Sequence, residues 1–158
     1  MSVLQNIDVR PRIYLMGFMG SGKSSEGKKM ARRLGYQFVE TDRLIEERLA
    51  KTVPQIFETL GESEFRKLEL QVLKESQIFT RTVIALGGGT PCSEEAWKYL
   101  GSPAFTLWLK VPPGHLIQRL RQKPANRPLV QQLSDEELME LYHRREPFYR
   151  RAQQWFVG

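Results

Sequence analysis

The stretch Gly17-Phe18-Met19-Gly20-Ser21-Gly22-Lys23-Ser24, with Ser25 directly behind it, limits what this chain can fold into more than any other segment. It follows Arg12-Ile13-Tyr14-Leu15-Met16, an apolar run short enough for a buried strand, and opens into a helix-like segment from Lys23 to Leu34. G-x-x-x-x-G-K-S between a strand and a helix is the pattern of a phosphate-binding loop. Its glycines let the backbone approach a ligand closely, and successive amides form a nest at the positive end of the helix. Gly20, Ser21, Gly22, Lys23, Ser24 and Ser25 are therefore expected to hold a nucleoside triphosphate. Lys23 would reach the β- and γ-phosphates, and the Ser24 hydroxyl would bind Mg²⁺.

With 158 residues the chain is expected to form a single domain with a real core. No apolar stretch approaches membrane-spanning length, and Met1 to Pro11 is mixed polar, unlike a signal peptide. The single cysteine, Cys92, excludes an internal disulfide and suits a reducing cytosol; it reads as a small, half-buried thiol. A net charge of +6 calls for an anionic partner. The arginines are scattered rather than gathered on one face with aromatic residues, which suits several guanidinium groups converging on small anions and not nucleic acid.

Further along, Tyr36–Val39 reads as a second strand leading to Glu40-Thr41-Asp42, and carboxylates at the carboxyl end of a parallel strand sit where ligands bind. Asp42 could equally cap the helix that follows, and both uses stay open on position alone. Val53–Gly61 reads as a short helix with a glycine C-cap, and Glu62–Gln77 as a long one with Phe65, Leu68, Val72 and Leu73 on one face. Arg66 has Glu62 and Glu69 one turn away, the pattern of a solvated ion pair. Thr82–Leu86 is a buried strand running into Gly87-Gly88-Gly89, and three glycines there suggest a ligand pressed against backbone amides.

A helix over Ser93–Leu100, a strand over Ala104–Leu109 and a helix from Pro112-Pro113 to Arg121 follow. Gln122–Leu129 has two prolines and little periodicity, the composition of a mobile cover able to bring Arg127 over a phosphate. Ser134 and Glu137 form a capping box for a helix to Arg151, which Pro147 would kink or displace. His115 and His143 have no matching metal ligands, and Trp155–Gly158 could start a fifth strand.

Together these segments resemble the shikimate kinase family, small P-loop kinases related to the nucleoside monophosphate kinases. The resemblance rests on the phosphate loop, Phe38-Val39-Glu40-Thr41-Asp42, Ile56-Phe57 with Gly61-Glu62, Phe65-Arg66 and Glu69. It continues in Ala85-Leu86-Gly87-Gly88-Gly89, Arg127-Pro128-Leu129 and Arg145-Glu146-Pro147-Phe148-Tyr149. It implies an α/β fold: three layers around a mostly five-stranded parallel sheet, with the core at about 12–158, a substrate segment at about 40–70 and a lid at about 119–133. It implies that Asp42 contacts the shikimate hydroxyls and orients or deprotonates the attacking one. Arg66 and Arg145 would grip the carboxylate, with Gly87, Gly88 and Gly89 as backbone donors. Phe57 and Phe65 would wall the pocket, Glu69 would anchor Arg66, and Arg127, joined by Arg119, would cover the ATP phosphates.

The implied reaction is transfer of the γ-phosphoryl of ATP to the 3-hydroxyl of shikimate, with Lys23, Asp42 and Arg127 as catalytic residues. Mg²⁺ would sit on Ser24, with Glu40 reaching it through water. Family members usually have aspartate at the place of Glu40, and they run on through a loop touching adenine and a last helix. This sequence stops at Gly158, so that helix is expected to be missing. A cytoplasmic monomer without nucleic-acid or membrane partners is expected. The rivals are a kinase of another polyol acid such as gluconate, a catalytically impaired relative that binds and regulates, and a nucleic-acid-binding ATPase.

Overall fold

Arg12–Met16, Thr82–Ala85 and Phe105–Lys110 lack polar alternation because both of their faces are covered. The computed structural model describes residues 11–101, 103–122 and 128–157. Its sheet contains β1 (Arg12–Met16), β2 (Gln37–Glu40), β3 (Thr82–Ala85), β4 (Phe105–Lys110) and β5 (Gln154–Val157) in the order β2-β3-β1-β4-β5, every pair parallel. The helices are α1 (Lys23–Leu34), α2 (Thr41–Leu49), α3 (Val53–Leu60), α4 (Glu62–Glu75), α5 (Glu94–Trp97), α6 (Pro113–Gln122), α7 (Pro128–Gln132) and α8 (Asp135–Tyr149). β1 lies between β3 and β4, so the chain leaves it at the point where connections diverge to opposite sides, the usual ligand crevice of such sheets.

Alternate residues of the central strands feed two cores. Tyr14, Met16, Ile84 and Trp108 pack with Leu116 and Leu120 of α6 and with Tyr142 and Tyr149 of α8. On the other face Ile13, Leu15, Val83 and Leu107 pack with Ala31 of α1. Gly27 lets α1 lie close to the sheet, since a Cβ there would come within 2.5 Å of the Phe38 ring. A third, smaller core of Ile45, Ile56, Phe65 and Val72 joins α2, α3 and α4. Leu73 of α4 reaches into the main core beside them.

Several boundaries differ from the sequence reading. The second strand starts at Gln37, leaving Tyr36 buried against the core before it. The helix expected over Ser93–Leu100 covers only Glu94–Trp97, because the amides of Lys98 and Tyr99 turn to the carbonyls three residues back and tighten the end. The long helix stops at Glu75 and passes into a tighter 3₁₀ turn, Ser76–Ile78, where the Ser76 hydroxyl donates to the Leu73 carbonyl at 2.6 Å. Pro147 lies inside α8 without ending it, and the helix runs on to Tyr149. Among the described residues, no helix is long and apolar enough to cross a membrane.

Candidate active site

β1 delivers the chain into the glycine-rich loop, where Gly20 and Gly22 take φ of 79° and 92°, a backbone region that side chains rarely adopt. Gly22 sits at the N-cap of α1, so the helix opens beneath the turn with its first amides pointing outward. The Lys23 ammonium rests on the loop's own carbonyls, donating to Gly17 at 2.6 Å and Phe18 at 3.1 Å. The buried Ser21 hydroxyl has no hydrogen-bond partner among the described residues. On the rim, Arg119 of α6 donates to the Gly20 carbonyl at 3.2 Å.

One strand away, β3 runs into the glycine triplet, and each glycine backs a different side chain. Gly87 lies against the Asp42 carboxylate, Gly88 against the Arg145 guanidinium and Gly89 against that of Arg66. Arg145 also lies over the Phe18 ring, 5.7 Å from its centroid. α2 begins at Thr41 with Glu40 at its cap position and no side-chain cap bond. Asp42 therefore falls in the first turn and is not the cap. One of its carboxylate oxygens is buried without a hydrogen-bond partner among the described residues. Burial, and then the negative charge of Glu69, push the Asp42 carboxyl up to about 6, with Lys23 pulling the other way.

Arg66 makes both pairs that its spacing allowed, at 2.6 Å to Glu69 and 3.4 Å to Glu62. Burial works against its charge, yet Glu69 and Glu62 hold its pKa above the ordinary arginine value. Glu69 is only 2% exposed, and its other oxygen accepts from Thr90 at 2.5 Å. The Arg66 pair is thus a half-buried brace facing the triplet and not a solvated surface bridge. The Gly87 amide is used internally, donating to the Thr41 hydroxyl at 3.0 Å. The amides of Gly88 and Gly89 have no partner within the described residues.

The two turns share one cavity of about 970 Å³. Gly20 to Ser25 form one side, Glu40, Asp42, Gly87 and Gly88 the floor, and Val53, Pro54 and Phe57 of α3 an apolar wall. The donor set fits Mg²⁺: the Ser24 hydroxyl and the Glu40 and Asp42 carboxylates are hard oxygens lining one space. Among the described residues no group of three or more His, Cys, Asp or Glu forms an all-protein cage. Mg²⁺ bound to phosphates and water needs none. Arg127, expected in the lid, lies outside the described residues, and the chain is helical from Pro128.

Sequence reasoning missed Thr41, Thr90 and Tyr149. Thr41 and Thr90 directly adjoin residues already singled out. Tyr149 is four residues beyond Arg145 on a helix, the spacing that puts two side chains on one face.

A model of the shikimate kinase family matches residues 19–158. The chain belongs to that family. A shikimate kinase of Phocaeicola vulgatus is 43% identical over 149 residues, spanning 92% of this chain and 85% of that one. Among solved structures, a shikimate kinase from Acinetobacter baumannii in complex with shikimate aligns with a TM-score of 0.88 at 33% identity, over 98% of this chain and 87% of that one. The shikimate kinase from Bacteroides thetaiotaomicron gives 0.85 at 40% identity, over 94% and 87%. A gluconokinase from Sinorhizobium meliloti gives 0.57 at 16% identity, over 94% of this chain and 81% of that one, a likeness of fold alone.

Proposed function

We propose that this chain transfers the γ-phosphoryl of ATP to the 3-hydroxyl of shikimate, giving 3-phosphoshikimate and ADP. The observation that carries the reading is the shared cavity. A triphosphate nest lines it together with the Asp42 carboxylate, Gly87 and Gly88, and two arginines from distant segments lie against Gly88 and Gly89. Phosphoryl transfer needs in-line positioning and neutralisation of charge more than covalent help from protein. The loop amides and Lys23 hold the triphosphate, with Lys23 leaving the Gly17 and Phe18 carbonyls for phosphate oxygens. Arg66, Arg145 and the Gly88 and Gly89 amides take the carboxylate, which points the ring hydroxyls toward Asp42.

Near neutral pH Asp42 is ionised, and it is more basic than an ordinary aspartate. As the 3-hydroxyl oxygen bonds to the γ-phosphorus and the bond to the β-γ bridging oxygen breaks, Asp42 receives the hydroxyl proton and ADP leaves. Ser24, with Glu40 through water, would hold Mg²⁺, which when bound offsets phosphate charge. Arg127 and Arg119 belong to the lid of about 119–133 in this reading, a part of one domain over 1–158. Both would donate to the phosphates, and lid closure would keep water from the γ-phosphoryl. The same reading makes the protein a cytoplasmic monomer whose partners are ATP and shikimate.

The deciding experiment is ADP release from ATP and Mg²⁺ with shikimate, with gluconate, with polynucleotide and alone. ADP formed with shikimate only is the expected result. Release that ignores shikimate, or that follows gluconate, overturns the assignment.

A further inference from the structure

Tyr149 ends α8 fully buried, with its ring against Trp108 at a centroid distance of 5.8 Å. Its hydroxyl donates to the Gly88 carbonyl at 2.6 Å, and the Cys92 thiol approaches the same oxygen at 3.6 Å. Arg145, one helical turn earlier, lies against the same glycine, its Nη1 3.0 Å from where a Gly88 Cβ would stand. A carbonyl oxygen only accepts, so the phenol proton goes to Gly88. Burial drives the phenol pKa far upward, and that proton stays in place at any working pH.

The Gly88 carbonyl and the Gly89 N–H belong to one planar trans peptide and point in opposite directions. Fixing the carbonyl on Tyr149 therefore fixes the Gly89 amide, which has no partner within the described residues and adjoins the Arg66 guanidinium. A Gly-Gly peptide has no side chain to hold its orientation, and ordering it is costly without an outside restraint.

We propose that Tyr149 is a positioning residue for the substrate carboxylate: its hydroxyl sets the Gly88–Gly89 peptide, against which the Arg145 guanidinium lies. This rests on the reading of shikimate as acceptor. The carboxylate then meets a cation and an amide already in register with each other, and part of the orienting cost of binding is removed beforehand.

The test begins with wild-type turnover of shikimate and of its neutral carboxamide. No turnover with shikimate ends the acceptor reading itself. With turnover in hand, Tyr149→Phe removes one oxygen and keeps the ring. The shikimate KM should rise about tenfold, with kcat and the ATP KM within about twofold. The preference for shikimate over the carboxamide should fall by the same factor. Trp108→Phe, which loosens the ring packing but keeps the hydroxyl, should lower the melting temperature and leave that preference intact.

A Tyr149→Phe enzyme with unchanged preference, or with both KM values raised equally, overturns the proposal while leaving the acceptor reading standing. A measurement on unaltered protein covers a variant that does not fold. The buried Tyr149 hydroxyl proton, recognised in NMR by cross-relaxation with the Trp108 ring, should shift on saturation with shikimate and not with ATP. No shift with shikimate overturns the proposal equally.

Discussion

The phosphate loop and the acceptor floor are both glycine-rich turns at the carboxyl ends of adjacent strands, yet they use glycine for opposite reasons. At Gly22 nothing lies within 4 Å of where a Cβ would stand, and the residue is required by its φ of 92°. At Gly89 the requirement is room: a Cβ would come 2.5 Å from the Arg66 Nη1. The first turn makes its site from its own backbone. The second is a surface against which side chains from α2, α4 and α8 are set. A local site survives disturbance of distant packing, whereas a gathered one depends on every element that delivers a side chain.

Four measurements would break or sharpen this contrast. Asp42→Asn should lower kcat about 10³-fold, the scale of a lost general base, while the nucleotide dissociation constant changes little. A matching loss of nucleotide affinity would mean the two turns are not separable. Arg145→Ala should raise the shikimate KM on the order of 10- to 100-fold, the cost of a lost charge-assisted contact, with the ATP KM within about twofold. Equal effects on both would remove Arg145 from the acceptor side.

Gly22→Ala and Gly89→Ala form a matched pair, each expected to cost about tenfold, a little over 1 kcal/mol of strain or displacement. The first should appear in the ATP KM alone and the second in the shikimate KM alone, and exchanged or shared effects would end the comparison. The smallest effect concerns pH and the ligand-free protein. Folding raises the Asp42 pKa from 3.8 to about 6, so the charged form is disfavoured in the folded state. The stability this group confers is complete below pH 3.8 and is lost as pH rises through about 6. Asp42→Asn should therefore melt a few degrees above wild type at pH 7.5 and together with it near pH 4. A wild type more stable at pH 7.5 would mean that Lys23 and Arg66 outweigh burial.

The contrast also explains what was legible in the sequence. The phosphate loop, α1 and the positions of the strands along the chain follow from contiguous patterns: one motif, short apolar runs and glycine or serine at helix ends. Read locally, Asp42 is either a cap or a ligand group and Arg66 a surface ion pair; the scattered arginines suggested convergence on small anions, but only resemblance to a family assigned Arg66 and Arg145 to one carboxylate. The Tyr149 bond links positions 61 residues apart, and no local rule announces it. The Ser93–Leu100 helix failed for a related reason. Its capping signal was real, but the last turn tightened in a way that propensity does not encode.

Leu15 pairs with Ala85 in the sheet, and two residues beyond that rung the chains reach Gly17 and Gly87. The two turns touch there, with the Cβ position of Gly88 3.8 Å from the Gly17 carbonyl. In the proposed reaction the gap between phosphoryl donor and acceptor would be gauged by the ladder between β1 and β3, whose strands run about 4.8 Å apart. Slipping that pairing by one rung would carry the acceptor alcohol about 3.3 Å along the strand axis. In the proposed reaction, alignment of donor and acceptor would thus be a property of strand register.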